Sequence, residues 1–511
     1  MTLAPHKDEC CTLGSGGGDE VVVVPWPLLL RQRAAHRVHS SDRYRWWVLL
    51  AVLGGLFAVN VTFTILNVAL PRIARELGTT TNTLTWVITG PLLAFGITAP
   101  TFGKAGDVYG YKKVYLLGIG GAAICSALSA LAWNAGSLIA IRTLGSIEGA
   151  ATGAASVALI CTVFERGDRV KALGYWSLVG AGGPVLGLAI GGPLIQHFGW
   201  RVIFAGQVPL EVLAIGFAAI VLPETTKAQR ERIDWAGVAT LGIAATSVLF
   251  AINRGPEWGW SSPGVVLTFL LCPAAGVLFV AVERRAAAPL LPLALLRRPN
   301  FAWPIMAQLF AEFAYMGGFF LSPLLLERVL GYTEAHAGIL VGARPLAFSI
   351  TAPVAGYLAV RWGERLAAVV GSAVVVASML VFAMVGAHSS DVLTVTALAL
   401  SGIGLGICSP SISASVANAV DEANLGIASA TQQLTMQVGV VAGIQLMSTV
   451  QTAREHTAGL AGSFSAAYLV GGAVAVLGVF CAFFVRSADR EVGEAAGHAA
   501  GSTDASLAAT P

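Results

Sequence analysis

Residues Gly103–Lys113 read GKAGDVYGYKK and stand between two long apolar runs. One aspartate, three lysines and three glycines interrupt a chain of 511 residues that is 56% hydrophobic, 12% charged and has a mean hydropathy of +0.74. A soluble domain carries about 25% charged residues, so this chain cannot cover itself with water-compatible surface, and the bilayer is its solvent. A net charge of +3 is too small to point to nucleic acid. Cys125, Cys161, Cys272, Cys408 and Cys481 fall inside apolar runs, where cysteine behaves as a small hydrophobe. The adjacent pair Cys10–Cys11 is a poor disulfide or metal site, and no cofactor is expected. VVVVPWPLLL (21–30) is too short to span and is broken twice by proline, so residues 1–45 read as a disordered tail without a cleavable signal.

A spanning helix needs about 20 apolar residues. That ruler places spans near 46–70, 84–102, 114–133, 137–160, 173–195, 203–222, 235–253 and 263–282. Six more are expected near 301–325, 337–359, 366–387, 392–413, 425–449 and 464–485, making fourteen. An even number puts both termini on one side. With that side cytoplasmic, 23 of the Lys and Arg residues lie inside and six outside, a clear positive-inside bias. The opening stretch is then the cytoplasmic turn between spans 2 and 3.

GYLAVRWGER (356–365) follows span 10 as the opening stretch follows span 2. Gly103 aligns with Gly356, Asp107 with Val360, Gly110 with Gly363 and Lys112 with Arg365, all at one offset of 253 residues. The offset makes span 9 the mate of span 1 and leaves spans 7 and 8 unmatched. The expected architecture is an all-α membrane protein in two six-helix bundles, 46–222 and 301–486. A linker, 223–300, carries the two extra helices, and residues 487–511 form a second cytoplasmic tail. Such repeats are the logic of secondary transporters.

The turn resembles the loop signature of the major facilitator superfamily, G-x-x-x-D-x-x-G-x-K/R. Three other stretches resemble that family's fourteen-helix drug:proton antiporter branch. They are ILNVALPRI (65–73) at the end of the first helix, LIAIRTLGSIEGA (138–150) with the fourth-helix arginine, and GGPVLGLAIGG (182–192) followed by FGWRVIF (198–204). The resemblance covers most of residues 46–486. Gly183, Gly187 and Gly191 recur every four residues, a bare stripe that lets helix backbones approach, and Pro184 favours a bend. The resemblance implies that this stripe lies between the two halves and seals one end of a pathway. Asp107 is either a solvated charge or the partner of a basic group or helix N-terminus.

Ionisable residues inside spans are functional hypotheses by default. Asn60, Thr64 and Asn67 share one face of span 1, and Gln308, Glu312 and Tyr315 share one face of span 9. These stripes read as walls of a central cavity or as hydrogen bonds between helices. The resemblance adds Arg142, the motif arginine associated with proton handling, whereas Glu148 departs from the pattern, in which a small residue stands at that place. Arg344 is a further interior charge needing a partner, and Glu211 reads as structural, nearer a membrane edge. Gln433 and Gln437 share a face of span 13, for substrate or for helix association. Where the branch carries an acid nine positions before the proline of ALP, this chain has Thr62, so Glu312 and Glu148 become the candidate proton carriers.

The resulting expectation is an exporter of amphipathic small molecules driven by proton antiport, monomeric and resident in the cell membrane. The alternative is a facilitator or importer of one solute without that coupling. An integral-membrane enzyme lacks support: the eight histidines fall in tails or loops, and neither HExxH nor GxSxG occurs.

Overall fold

The computed structural model describes residues 43–61, 72–79, 86–225, 234–286 and 293–485. The tails, and with them Thr62, Thr64 and Asn67, lie outside the described residues.

The described chain is helical, with no strand among the described residues. In chain order the long helices are α1 Tyr44–Asn60, α2 Trp86–Tyr109, α3 Tyr111–Ala130, α4 Ala135–Val163, α5 Arg169–Phe198 and α6 Arg201–Val221. Then come α7 Trp235–Trp258, α8 Pro263–Glu283, α9 Pro299–Arg328, α10 Ala343–Trp362, α11 Glu364–Ala383 and α12 Asp391–Asn418. A helical segment, Glu334–Val341, leads into α10. The last helix, Leu425–Phe483, is broken at Gly459 (φ 71°, ψ 172°) into α13 (425–458) and α14 (460–483). Among the described residues, nine helices are long and apolar enough to cross a membrane.

Local chemistry sets the ends. Asn134 and Ser137 form a reciprocal capping box on α4, and Asp234 caps α7 through Ala236 and Gly237. Ser262 caps α8 with Pro263 at its first position, where proline's missing N–H costs nothing. Positive-φ glycines make the sharp turns, and they recur in both halves. Gly110 (φ 95°, ψ 135°) separates α2 from α3, and Gly363 (φ 84°, ψ 148°) separates α10 from α11. Gly199 (φ 81°, ψ 169°) ends α5 much as Gly459 ends α13. Matching backbone angles at matching places express the internal repeat in geometry.

The helices reach beyond the apolar runs. The turn expected over 103–113 shrinks to Gly110 alone, so Asp107 stands in the last turns of α2. The loop expected over 450–463 is largely helix, because only Gly459 departs from helical geometry there. A hydropathy ruler measures the lipid-facing length, and backbone hydrogen bonding carries the helix on into the interface.

In the N-terminal half α3 packs between α4 and α6, and α2 against α4. In the C-terminal half α9 crosses α13, and α10 and α11 both pack on α12. The halves meet along α2–α13 and α5–α10, two pairs that the repeat interchanges. Helices α7 and α8 form a hairpin whose α7 touches α2 and α13. Arg254 of α7 stacks on Trp86 of α2, 4.3 Å from the ring centre. Along α8, Leu267, Leu270 and Val277 are exposed, which suits contact with lipid.

Candidate functional site: the seam between the bundles and its buried charges

Asp107 is 5% exposed and therefore not a solvated charge. Its carboxylate accepts hydrogen bonds from the N–H groups of Gly426 (2.9 Å) and Ile427 (3.1 Å), at the start of α13. A helix N-terminus presents unpaired N–H groups and a partial positive charge, so it suits a carboxylate. The Tyr111 hydroxyl donates to the same carboxylate at 2.6 Å, and the Glu422 carbonyl lies 3.2 Å from that hydroxyl. Gly103 permits the approach: a Cβ there would stand 2.5 Å from the Gly426 carbonyl oxygen. Lys112 turns away and pairs with Glu224 at 3.2 Å, while Thr225 accepts from the Tyr111 N–H. The motif thus joins α2 to α13 and is braced from behind by the segment after α6.

The second seam repeats the close approach without the acid. A Cβ on Gly356 of α10 would lie 2.8 Å from the Val170 carbonyl oxygen of α5, and one on Gly174 would lie 2.7 Å from that of Ala352. The hydroxyls of Tyr175 and Tyr357 meet at 3.1 Å across it. Beside this seam runs a polar chain that the sequence reading missed. Arg169 donates to Asn418 Oδ1 (3.0 Å) and to the Cys161 carbonyl (2.8 Å). The Asn418 amide in turn donates to Glu364 (3.0 Å), which also accepts from Ser415 (2.8 Å). Glu364 occupies in its half the place of Tyr111, since both directly follow the turn glycine. At the edge of this chain, the Lys171 hydrogen bond, followed by its charge and that of Arg45, holds the Asp168 carboxyl below the usual range.

Inside the C-terminal bundle, Gln308 donates to Glu312 at 2.9 Å, and both are buried. A Cβ on Gly439 of α13 would stand 3.4 Å from the Glu312 Cβ. In the other half a Cβ on Gly183 of α5 would stand 3.9 Å from the Asn60 Cβ. Glu312 and Asn60 therefore occupy corresponding points, an acid in one bundle and an amide in the other. The Asn60 amide bonds the Leu56 carbonyl of its own helix at 3.0 Å. Pro184, Gly187 and Gly191 lie within α5, and the surroundings of their side chains are outside the described residues.

Arg344 is fully buried. It donates to the Tyr315 carbonyl and to Ser401, and its guanidinium lies 4.1 Å from the centre of the Tyr315 ring. It sits within electrostatic reach of Glu312, but no ion pair closes between them. Gln433 and Gln437 are buried, and Gln433 reaches α4, where a Cβ on Gly153 would meet its amide nitrogen at 2.9 Å.

Arg142 and Glu148 do not pair. Glu148 accepts from the Cys125 thiol (3.7 Å), and the Arg142 guanidinium lies 5.5 Å from the centre of the Phe204 ring. Glu211 corrects the sequence reading. It stands mid-way along α6, fully buried, and accepts from Ser126 of α3 at 3.2 Å.

No group of three or more metal-ligating side chains occurs among the described residues. What remains is paired small-residue helix crossings that join two bundles at one end, with buried charges inside each bundle. The sequence profile of the Major Facilitator Superfamily matches residues 52–444 and 328–508. The chain belongs to this superfamily. It is similar to the "Multidrug resistance protein Stp" of Mycobacterium tuberculosis (strain CDC 1551 / Oshkosh), at 27% identity over 81% of this chain and 77% of that protein. It is also similar to the "Tetracenomycin C resistance and export protein" of Streptomyces glaucescens, at 30% identity over 82% of this chain and 78% of the other. The crystal structure of the human organic anion transporter MFSD10 superposes with a TM-score of 0.62 at 18% identity, covering 86% of this chain and 99% of that one. That likeness concerns the fold: a multi-pass, major-facilitator architecture.

Proposed function

We propose that this superfamily member exports amphipathic small molecules from the cell by alternating access, driven by proton antiport across the cell membrane, with both termini cytoplasmic. The names of the relatives, which concern resistance and export, support the export reading. One observation carries the mechanism. The seams close at the end of the bundles bearing Asp107, through backbone-to-backbone approaches at Gly103 and Gly356. The positive-inside bias makes that the cytoplasmic end. Parting the seams by rocking one bundle against the other would open the same path inward. The carboxylate–helix bond holds the outward-open state, and substrate and proton binding shift the balance.

Two bundles, 46–222 and 301–486, form the moving parts, and the α7–α8 hairpin rides outside the pathway. Glu312 is the proposed coupling acid, with Gln308 as its hydrogen-bond partner and Arg344 as the nearby cation. Asn60, Thr64, Asn67, Gln308, Tyr315, Arg344, Gln433 and Gln437 are the proposed cavity residues. Efflux from loaded cells tests the reading. A protonophore should abolish uphill export, whereas a facilitator would keep equilibrating its solute.

A further inference from the structure

We propose that Glu211 is a proton-binding residue of the N-terminal bundle, and that Arg142 answers its charge. Glu211 has no exposed surface, and Ser126 of α3 bonds one carboxyl oxygen. The other oxygen, Oε2, is sealed from solvent with no hydrogen-bond partner among the described residues. An ionised carboxylate so placed is strongly disfavoured unless a cation stands against it. The group therefore has two acceptable states: protonated by itself, or ionised with a cation drawn in.

The cation is at hand. Arg142 of α4 is within electrostatic reach of Glu211, and its buried Nε has no hydrogen-bond partner among the described residues. It rests over the Phe204 ring at 5.5 Å rather than on a carboxylate. Phe204, Gln207 and Glu211 follow one another at i, i+3 and i+7, on one face of α6, so the guanidinium over Phe204 and the Glu211 carboxyl meet the same face of that helix. The separated arrangement is the one that fits a protonated Glu211.

Among the described residues the other groups near Glu211 are few, and Glu148 is the further charged one. From α3 come Ser126 and the Cys125 thiol, which bonds Glu148 instead. From α4 come Arg142 and Glu148. Helix α1 offers the Ala58 carbonyl, taken by Gln207 Nε2 at 2.9 Å. Helix α5 carries no titratable side chain between Tyr175 and His197. The transfer itself is simple: hydronium gives its proton to form the O–H bond on Glu211, leaving water, and the neutral carboxyl releases Arg142. Deprotonation restores the attraction. Placed beside the proposed Glu312, this gives each bundle one interior acid with one arginine near it. The inference rests on the antiport reading only for its use, not for the proton binding itself.

Infrared difference spectra of the purified full chain in lipid, recorded between acid and alkaline pH, test it. Titrating protonated-carboxyl bands are expected in the wild type from Glu211 and from the proposed Glu312; the Glu211 band should be lost in Glu211→Gln and retained in Glu148→Gln and in Glu312→Gln. In Glu211→Asp the band should persist with a shifted midpoint. Arg142→Gln should move the midpoint upward by at least about one pH unit, because the ionised state loses its cation. A Glu211→Gln spectrum equal to the wild type overturns the proposal. If Glu211→Gln does not fold, unchanged midpoints in both Glu211→Asp and Arg142→Gln overturn it. Protonophore-insensitive efflux together with the expected spectra would remove the antiport reading and leave the proton site standing.

Discussion

Asp107 of α2 and Gly426 of α13 are joined across the two bundles by a carboxylate–amide hydrogen bond of 2.9 Å, 319 residues apart in the chain. The bond uses the charge of the acid and the unpaired N–H groups of a helix start. Asp107→Asn removes the charge while leaving one oxygen able to accept. The closed seam should weaken by about 1–2 kcal/mol, a common size for coupling between states and a five- to thirtyfold change in population. Transport at equal membrane abundance should fall accordingly, and thiol labelling of a cysteine introduced at Ser429 should quicken. Unchanged labelling would show that the bond does not govern the equilibrium.

Gly103 and Gly356 make the same prediction from packing alone. An added methyl at Gly103 meets the Gly426 backbone and the Ala430 side chain, and at Gly356 it meets the backbone of Val170 and Lys171. Backbone cannot step aside as a flexible side chain can, so the helices must move apart. Gly103→Ala and Gly356→Ala should each lengthen the distance between spin labels across their own seam. Gly54→Ala, where nothing lies within 4 Å, serves as the control and should leave transport intact.

The Arg169–Asn418–Glu364 chain should behave as a unit. Asn418→Ala strips Arg169 and Glu364 of a shared partner while both remain buried, and leaves Glu364 with Ser415 among the bonds described above. Loss of a hydrogen bond to a buried charge costs about 1.5–3 kcal/mol. A double-mutant cycle with Glu364→Gln, read by thermal unfolding in detergent, should return coupling rather than additivity.

The repeat was legible because turns need particular residues. Gly110 and Gly363 sit at positive φ, where other side chains are strained, so glycine spacing marks the two turns in the bare sequence. The acid at Asp107 was legible as a choice between partners, and the fold supplied the helix N-terminus. Glu211 was read as nearer a membrane edge although it falls near the middle of the expected span 203–222, whereas Glu364, directly after the turn glycine, was not legible as an interior group, and the packing of α11 on α12 sets its burial. The Arg169–Asn418 bond spans 249 residues and has no local pattern to announce it. Pairings between halves are written in the fold's closure, and spacing within one helix carries no record of them.

The coupling proton is expected at Glu312. Asn60 in the other bundle also lies beside a glycine of its crossing helix, Gly183, as Glu312 lies beside Gly439, but it cannot titrate. The repeat thus leaves one of these two corresponding points able to change charge. Gln308 can bond the carboxyl in either protonation state, since an amide both donates and accepts. Arg344 gives one nitrogen, Nη2, to the Tyr315 carbonyl and to Ser401, and no ion pair closes with Glu312, so it moderates the charge of Glu312 without locking it. On the proposed cycle, acidity outside would load the group, and the higher pH of the cytoplasm would unload it after the seams exchange. Glu312→Gln keeps volume and hydrogen bonding and removes the titration. In proteoliposomes, export driven by a pH gradient should therefore stop, while substrate binding and downhill equilibration persist. The reciprocal variant Asn60→Asp, built on Glu312→Gln, moves an acid to the corresponding point and should restore part of the pH-driven flux if the site's position, rather than its particular bundle, is what couples. Normal uphill pumping by Glu312→Gln would transfer the role to Glu148 or Glu211, whose replacements should then be the ones that abolish it.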